Sequence, residues 1–241
     1  MITTRSVSKT FNSRCAVDNL NLNIQKGELY CLLGPNGAGK TTTVKLLAGL
    51  MRPTKGEILI GGYDVEKDYV KVKGILGLIP DSPFLYENLT PLEFLLFIAD
   101  VYGIKKDAAL ERINGYFDLF RLHEFRARRI KDLSHGTRQK IVYTANFIHQ
   151  PDVYLIDEPL VGLDPYNIHL IKKLMRQEVS QGKTILMCTH LLAIAEELAD
   201  RVGILKEGRL FIEGSPKALK ERYGDSLEGV FLKLTGSQAQ I

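Results

Sequence analysis

The sequence predicts an α/β fold, a mostly parallel sheet with an antiparallel β region beside it and a block of helices inserted between strands. Three observations predict it. An apolar run, Glu28 to Leu33, leads through Gly34-Pro35-Asn36-Gly37-Ala38-Gly39-Lys40-Thr41 into a helical pattern over Thr42 to Leu50. A second apolar run, Val153 to Ile156, ends in two acids, Asp157 and Glu158. A third, Thr184 to Thr189, ends in His190. Short apolar runs alternating with helical periodicity read as buried parallel strands joined by helices.

Taken in order, Ile2 to Val7, Leu20 to Ile24, Glu28 to Leu33 and Gly56 to Ile60 are β-like, with Lys26-Gly27 as a turn joining two of them, and are expected to form a partly antiparallel sheet flanking the glycine-rich loop. Gly74 to Ile79 is a further apolar strand, ending at Pro80-Asp81. The character then changes. Thr90-Pro91-Leu92-Glu93 is a capping box with proline at the first helical position, which starts a helix running to about Tyr102 and ended by Gly103. Leu110, Ile113, Phe117 and Phe120 recur at near-helical spacing after an expected Asp107 cap, and another helical pattern runs from His135 or Gly136 to Ile148. Residues from about 84 to 149 are therefore expected to be a helical insertion. Beyond it lie the strand at Val153, a helix from about Asn167 to Gln181, the strand at Thr184, a helix Leu191 to Ala199, and a hairpin Val202 to Ile212 turning at Glu207-Gly208.

A chain of 241 residues with 45% hydrophobic and 25% charged residues buries an ample core, and disorder is expected only in the last residues, Gly236 to Ile241. A net charge of +4 gives a weak preference for anionic partners and decides nothing between nucleotide, lipid and nucleic acid. Cys15, Cys31 and Cys188 form no C-x-x-C pair, which argues against a disulfide framework or zinc site and for a reducing compartment. The most apolar stretch, Phe94 to Ala99, is interrupted by Asp100 and falls far short of the roughly 20 residues that cross a bilayer. Met1 to Thr10 lacks an apolar segment of the secretory kind, so no leader is expected.

The chemistry is concentrated in a few positions. Successive backbone N–H groups of a glycine-rich turn make a concave anion site, the following helix directs its positive end to the same place, and Lys40 adds a full charge. The pattern G-x-x-x-x-G-K-[ST] is a phosphate-binding loop, with Thr41 supplying a hydroxyl for Mg²⁺. In open α/β sheets ligands lie beyond the carboxyl ends of strands, so Asp157 and Glu158 are expected to face that loop, Asp157 in the shell of the metal and Glu158 accepting a hydrogen bond from an attacking water. His190, at the end of another strand, can reach the terminal phosphate. Leu133-Ser134-His135-Gly136-Thr137-Arg138-Gln139-Lys140 places Ser134 as an N-cap at a helix start suited to an anion.

Together, and in this order, these segments resemble the ATP-binding subunit of ATP-binding-cassette (ABC) transporters over essentially the whole chain. Gly34 to Thr41 matches its Walker A motif, Val153 to Asp157 its Walker B motif followed by the catalytic Glu158, Gly162-Leu163-Asp164 its D-loop, His190 its switch histidine and Leu133 to Gln139 its signature. The resemblance implies a P-loop NTPase (RecA-like) fold over residues 1–241, with a core at 1–83 and 150–241. It implies ATP and Mg²⁺ as cofactors: Phe11 stacks on adenine; Gly34, Pro35, Asn36, Gly37, Ala38, Gly39, Lys40, Thr41 and Thr42 hold the phosphates; Thr41, Asp157 and Asp81 serve the metal; and Lys40, Glu158 and His190 are catalytic. Two cassettes, identical or related, would dimerise head to tail, so that Ser134, His135, Gly136 and Thr137 meet the ATP of the opposite chain. A membrane-spanning permease would be the other partner, placing the protein at the cytoplasmic face of the cell membrane, with no nucleic acid involved.

Three positions depart from the family pattern. Asp81 stands where a glutamine is usual, His135 and Thr137 replace the signature's first glycine and its glutamine, and Val161 replaces a serine before the D-loop. Ser134, Gly136, Glu158 and His190 remain, so an active ATPase is expected. Asp81, the signature form L-S-x-G-x-R-Q-K and the ending Ser226 to Thr235 are similar to cassettes of exporters for drugs, antibiotics, sodium or polysaccharide. Asp81 to Asn88, with Phe84, Leu85 and Tyr86, would form a groove for the permease, unless those three residues pack in the core of the helical insertion. Two rivals are carried: a non-transport ABC ATPase acting on DNA or ribosomes, for which the run Arg126, Arg128, Arg129, Lys131 lacks interleaved aromatics, and a nucleotide-sensing cassette with little turnover, against which Glu158 and His190 speak.

Overall fold

In this computed structural model the described residues are all of the chain except Ser13, Pro83, Pro159, Val161, Gly162 and residues 237–241. The chain opens with two long strands, β1 (Ile2–Phe11) and β2 (Arg14–Ile24), paired antiparallel from Ile2 opposite Ile24 to Phe11 opposite Arg14. With β4 (Lys55–Ile60) and β5 (Tyr63–Asp64) they form a four-stranded antiparallel sheet of order β2-β1-β4-β5. Between them in sequence lies β3 (Leu29–Leu33), which belongs elsewhere: the Lys26-Gly27 turn carries the chain out of the antiparallel sheet rather than along it. Sequence had grouped this strand with the antiparallel set. Five consecutive buried residues explain the difference, because a strand covered on both faces belongs inside a parallel sheet.

That sheet adds β6 (Leu76–Ile79), β7 (Val153–Asp157), β8 (Thr184–Thr189), β9 (Arg201–Lys206) and β10 (Arg209–Gly214) in the order β10-β9-β3-β8-β7-β6, parallel except at the β10 edge. Alternate residues of its strands enter two different cores. Leu29, Cys31, Leu33, Tyr154, Ile156, Ile185 and Met187 face one cluster, while Tyr30, Leu32, Val153, Leu155, Leu186 and Cys188 face another shared with Ile2, Leu22, Ile24 and Ile58 of the antiparallel sheet. Helix α1 (Lys40–Leu47) lies in the second core through Val44, Leu46 and Leu47.

A short helix α2 (Tyr69–Gly74) precedes β6, so Gly74 ends a helix rather than opening a strand. Among the described residues three α-helices, α3 (Pro91–Val101), α4 (Lys106–Phe120) and α5 (His135–Ile148), and two single-turn 3-10 helices at His123–Phe125 and Ile130–Asp132 separate β6 from β7. The capping box forms in full, with Glu93 N–H donating to Thr90 Oγ1 at 3.2 Å and Thr90 N–H to Glu93 Oε2 at 2.8 Å. The N-cap of α4 is Lys105, not Asp107, because the helix closes its first turn from Lys105 O to Ala109 N–H. Asp107 sits inside that turn, where its charge favours the helix dipole instead. Phe94, Ile113, Phe117, Ile141 and Phe147 join the same cluster as Leu33 and Ile156, so the inserted helices and one face of the parallel sheet share a core.

Helices α6 (Pro165–Ser180), α7 (Leu192–Leu198), α8 (Pro216–Tyr223) and α9 (Leu227–Thr235) complete the fold. α6 begins two residues before the expected Asn167, since Asp164 caps it. Register finishes the placement of the site. Leu33 pairs with Thr189 and Asp157 with Cys188, so Gly34, Glu158 and His190 leave three adjacent strands at the same edge of the sheet.

Candidate active site

The loop after β3 turns on Gly37 and Gly39, at φ of 80° and 107°. The space explains the glycines as well as the angles: a Cβ on Gly39 would lie 2.4 Å from the carbonyl oxygen of Ala16 in β2, and one on Gly34 2.5 Å from that of Leu205 in β9. Both sheets therefore press on the loop. Lys40 is almost fully buried beneath it and donates to Gly34 O at 2.6 Å and Pro35 O at 3.2 Å, with its Nζ 3.9 Å from Glu158 Oε1. Asn36, Gly37, Ala38, Gly39, Lys40, Thr41 and Thr42 line a cleft of about 420 Å³ together with Phe11, Arg14, Ala16, Asp81 and Glu158. Phe11 ends β1 with 43% of its surface exposed, and the Lys9 ammonium lies over its ring at 5.2 Å from the centroid. Arg14 and Ala16 were not anticipated. Arg14 faces Phe11 across the hairpin, and its Nη2 would be 3.6 Å from a Cβ on Gly37; a strand-pairing register, not a motif, brings it there.

Asp157 is 3% exposed and its carboxyl bonds the Thr41 side chain. Burial raises its pKa above the usual carboxylate range, opposed by the Thr41 hydrogen bond and by Lys40 and reinforced by Asp81 and Glu158. Its Oδ1 is buried with no hydrogen-bond partner among the described residues. An orphaned carboxyl oxygen beside a threonine hydroxyl at the edge of a phosphate-sized cleft is the donor chemistry a hard divalent cation takes. No group of three or more His, Cys, Asp or Glu among the described residues could hold a metal by itself, so the remaining ligands of such an ion would be nucleotide oxygens and water. Asp81 lies close enough to Asp157 to act on its charge, and spends Oδ1 on the Ser82 N–H at 2.7 Å.

Glu158 is held from several sides. Its φ of 48° is left-handed, a strain of roughly 1–3 kcal/mol for a non-glycine residue. Its N–H donates to Cys188 O at 2.9 Å, its Oε1 lies 2.9 Å from His190 Nδ1, and its Oε2 accepts from Thr189 Oγ1 at 3.2 Å. The strain is therefore tied into the neighbouring strand, and the carboxylate points back over Lys40.

Ser134 caps α5, its Oγ accepting from the Thr137 N–H at 3.2 Å and lying 2.9 Å from Thr137 Oγ1. Neither these two residues nor His135 and Gly136 line the cleft of this chain. Asp164 is not among the residues lining it either and caps α6, where the Asn167 backbone N–H holds its carboxyl below the ordinary range. Gly162, Pro159 and Val161 lie outside the described residues. Phe84 and Tyr86 are 85% and 53% exposed, while Leu85 packs against the core, so the two alternatives for this segment divide residue by residue. Tyr86, Leu89 and Phe97 line an apolar groove of about 470 Å³.

A glycine loop feeding a helix from a parallel strand, a buried lysine under it and strand-end acids opposite it define a nucleoside-triphosphate-binding α/β protein. The family model for the ABC transporter matches residues 17–161. Over 90% of this chain and 71% of its own length, a Nod factor export ATP-binding protein I from Burkholderia lata is 36% identical. A stretch of the human retinal-specific phospholipid-transporting ATPase ABCA4 is also 36% identical, over 95% of this chain and 10% of that protein. A solved ATP-binding subunit of an ABC transporter superposes with a TM-score of 0.93 at 32% identity, covering 98% of this chain and 99% of that one. A cassette captured as a post-hydrolysis dimer with ADP and Pi superposes at 0.81 and 26% identity, over 89% and 98%. The chain belongs to the ABC transporter family as an ATP-binding subunit that hydrolyses ATP.

Proposed function

We propose that the chain drives export through a separate membrane-spanning permease, as one ATP-binding domain carrying a helical lobe, working as a two-fold dimer with an identical or related cassette. The observation that carries the mechanism is Glu158 anchored at both carboxylate oxygens above Lys40. The loop amides, Lys40 and Thr42 bind the phosphates, with Phe11 under the base and Arg14 adding charge near Gly37. Thr41, Asp157 and Asp81 are the residues that would hold Mg²⁺, which when bound neutralises phosphate charge. Glu158 accepts a hydrogen bond from water and orients it; His190, which is not itself among the residues lining the cleft, holds Glu158 and would reach the terminal phosphate from there.

Ser134 to Thr137 and Asp164, which do not line their own chain's cleft, fit a site completed in trans, and the dimeric state of the similar cassette supports that arrangement. The apolar groove at Tyr86, Leu89 and Phe97 is where the permease would dock, and Phe84, in the same segment, is 85% exposed. No described helix is long and apolar enough to cross a membrane, so attachment to its cytoplasmic face would come through that contact. Export is favoured by the similarity to a protein titled for Nod factor export, and by Asp81 and the altered signature. Steady-state ATP hydrolysis with Mg²⁺, against protein concentration and beside Glu158→Gln, tests the reading: turnover should rise faster than linearly with protein and be lost in the variant while ATP binding persists. Unchanged turnover in Glu158→Gln sinks the mechanism.

A further inference from the structure

Thr189 ends β8 directly before His190, with only 2% of its surface exposed. Its hydroxyl has two partners. The Leu191 N–H donates to Thr189 Oγ1 at 3.1 Å, and Thr189 Oγ1 lies 3.2 Å from Glu158 Oε2. A carboxylate can only accept and a backbone N–H can only donate, so the single hydroxyl proton is assigned: it points at Glu158. On the other side of the same carboxylate His190 Nδ1 meets Oε1 at 2.9 Å, and the Glu158 backbone N–H is fixed by Cys188 O at 2.9 Å. Consecutive residues of one strand end, Cys188, Thr189 and His190, thus hold the backbone and both side-chain oxygens of Glu158. With its carboxylate free to turn about χ3, Glu158 would lose the direction in which it can meet a water.

Resting on the role given above to Glu158, we propose that Thr189 is a positioning residue for hydrolysis: its hydroxyl, oriented by the Leu191 N–H, locks one oxygen of Glu158 so that the other oxygen and His190 address the attacking water. The methyl of Thr189 is incidental to this and the hydroxyl is essential. A side chain that merely filled space would show the opposite dependence.

The experiment compares Mg²⁺-dependent ATP hydrolysis by the purified chain with that of Thr189→Val, Thr189→Ala, Thr189→Ser and Glu158→Gln, with nucleotide affinity and thermal midpoint measured on each. Removing a hydrogen bond to a charged group is expected to lower kcat roughly 10- to 100-fold in both hydroxyl-free variants. KM and ATP affinity should stay within about twofold, and Thr189→Ser should recover most of kcat. Thr189→Ala keeps the test open if the valine variant folds poorly. Turnover of Thr189→Val and Thr189→Ala near that of the parent, with Glu158→Gln inactive, overturns the proposal alone; so does a serine variant as impaired as the valine. An active Glu158→Gln variant overturns the reading of Glu158 and the proposal with it.

Discussion

Gly39→Ala is the sharpest probe of how the two sheets shape the phosphate loop. At φ 107° an L-residue meets a left-handed backbone penalty of roughly 1–3 kcal/mol. The added methyl would lie 2.4 Å from Ala16 O and 3.5 Å from Leu205 Cδ2. Neither β2 nor the sheet edge yields easily, and overpacking of this kind costs about 1–3 kcal/mol more. The sum, roughly 2–6 kcal/mol, corresponds to a fall in Tm of about 5–20 °C for a chain of this length. Nucleotide affinity should fall as well, since relief of the contact moves the N-terminus of α1. Gly115→Ala is the matched control: it lies in α4 with nothing within 4 Å of the added carbon, and should gain about 0.5–1 kcal/mol from helix propensity alone. Thermal and urea unfolding of the two variants beside the parent decide it. A Gly39→Ala protein as stable as Gly115→Ala would show that the loop is not seated against Ala16, and the geometry argued for the site would fail.

Two further outcomes follow from single side chains. His149 stacks on Tyr102 with centroids 3.9 Å apart, and burial holds its pKa below the ordinary value against the opposing pull of Ala145 O and Leu76 O. The unfolded chain therefore takes up the proton first: the stability from neutral His149 is whole above about pH 6.5 and is lost as pH falls below it towards the folded value. His149→Phe, which keeps the stack and cannot titrate, should lose less Tm on acidification across that range than the parent does; equal losses would reject the assignment. Arg14 lines the candidate cleft with Gly37, and Arg14→Ala should weaken ATP binding roughly three- to tenfold and flatten its salt dependence, measured by titration at two ionic strengths. Affinity equal to the parent's at low salt would remove Arg14 from the site.

Some of the helix ends were legible because their signals are local. Thr90-Pro91-Leu92-Glu93 starts α3 and Ser134 caps α5 as their residue types demand. Asp107 shows the limit of such signals, since a capping residue one turn early or late is chosen by where the preceding loop delivers the chain, and here Lys105 is delivered first. α8 and α9 carry caps of the same kind in Ser215-Pro216 and Ser226. Neither follows one of the buried strands whose ends locate α1 and α7, and a short helix shows too few turns for its period to stand out without such a neighbour.

By itself the sequence determined the loop, the strand-end acids and histidine, and the alternation of strands and helices, because a phosphate cradle and a buried parallel strand each need particular residues at fixed local spacing. Tertiary structure alone decided that β3 leaves its neighbours in sequence for the parallel sheet, that Arg14 enters the cleft across a hairpin, and that Thr189 grips Glu158 thirty-one positions away. These depend on register between strands, a relation between distant segments set by which alternate side chains reach which core, and no local pattern of residues encodes it.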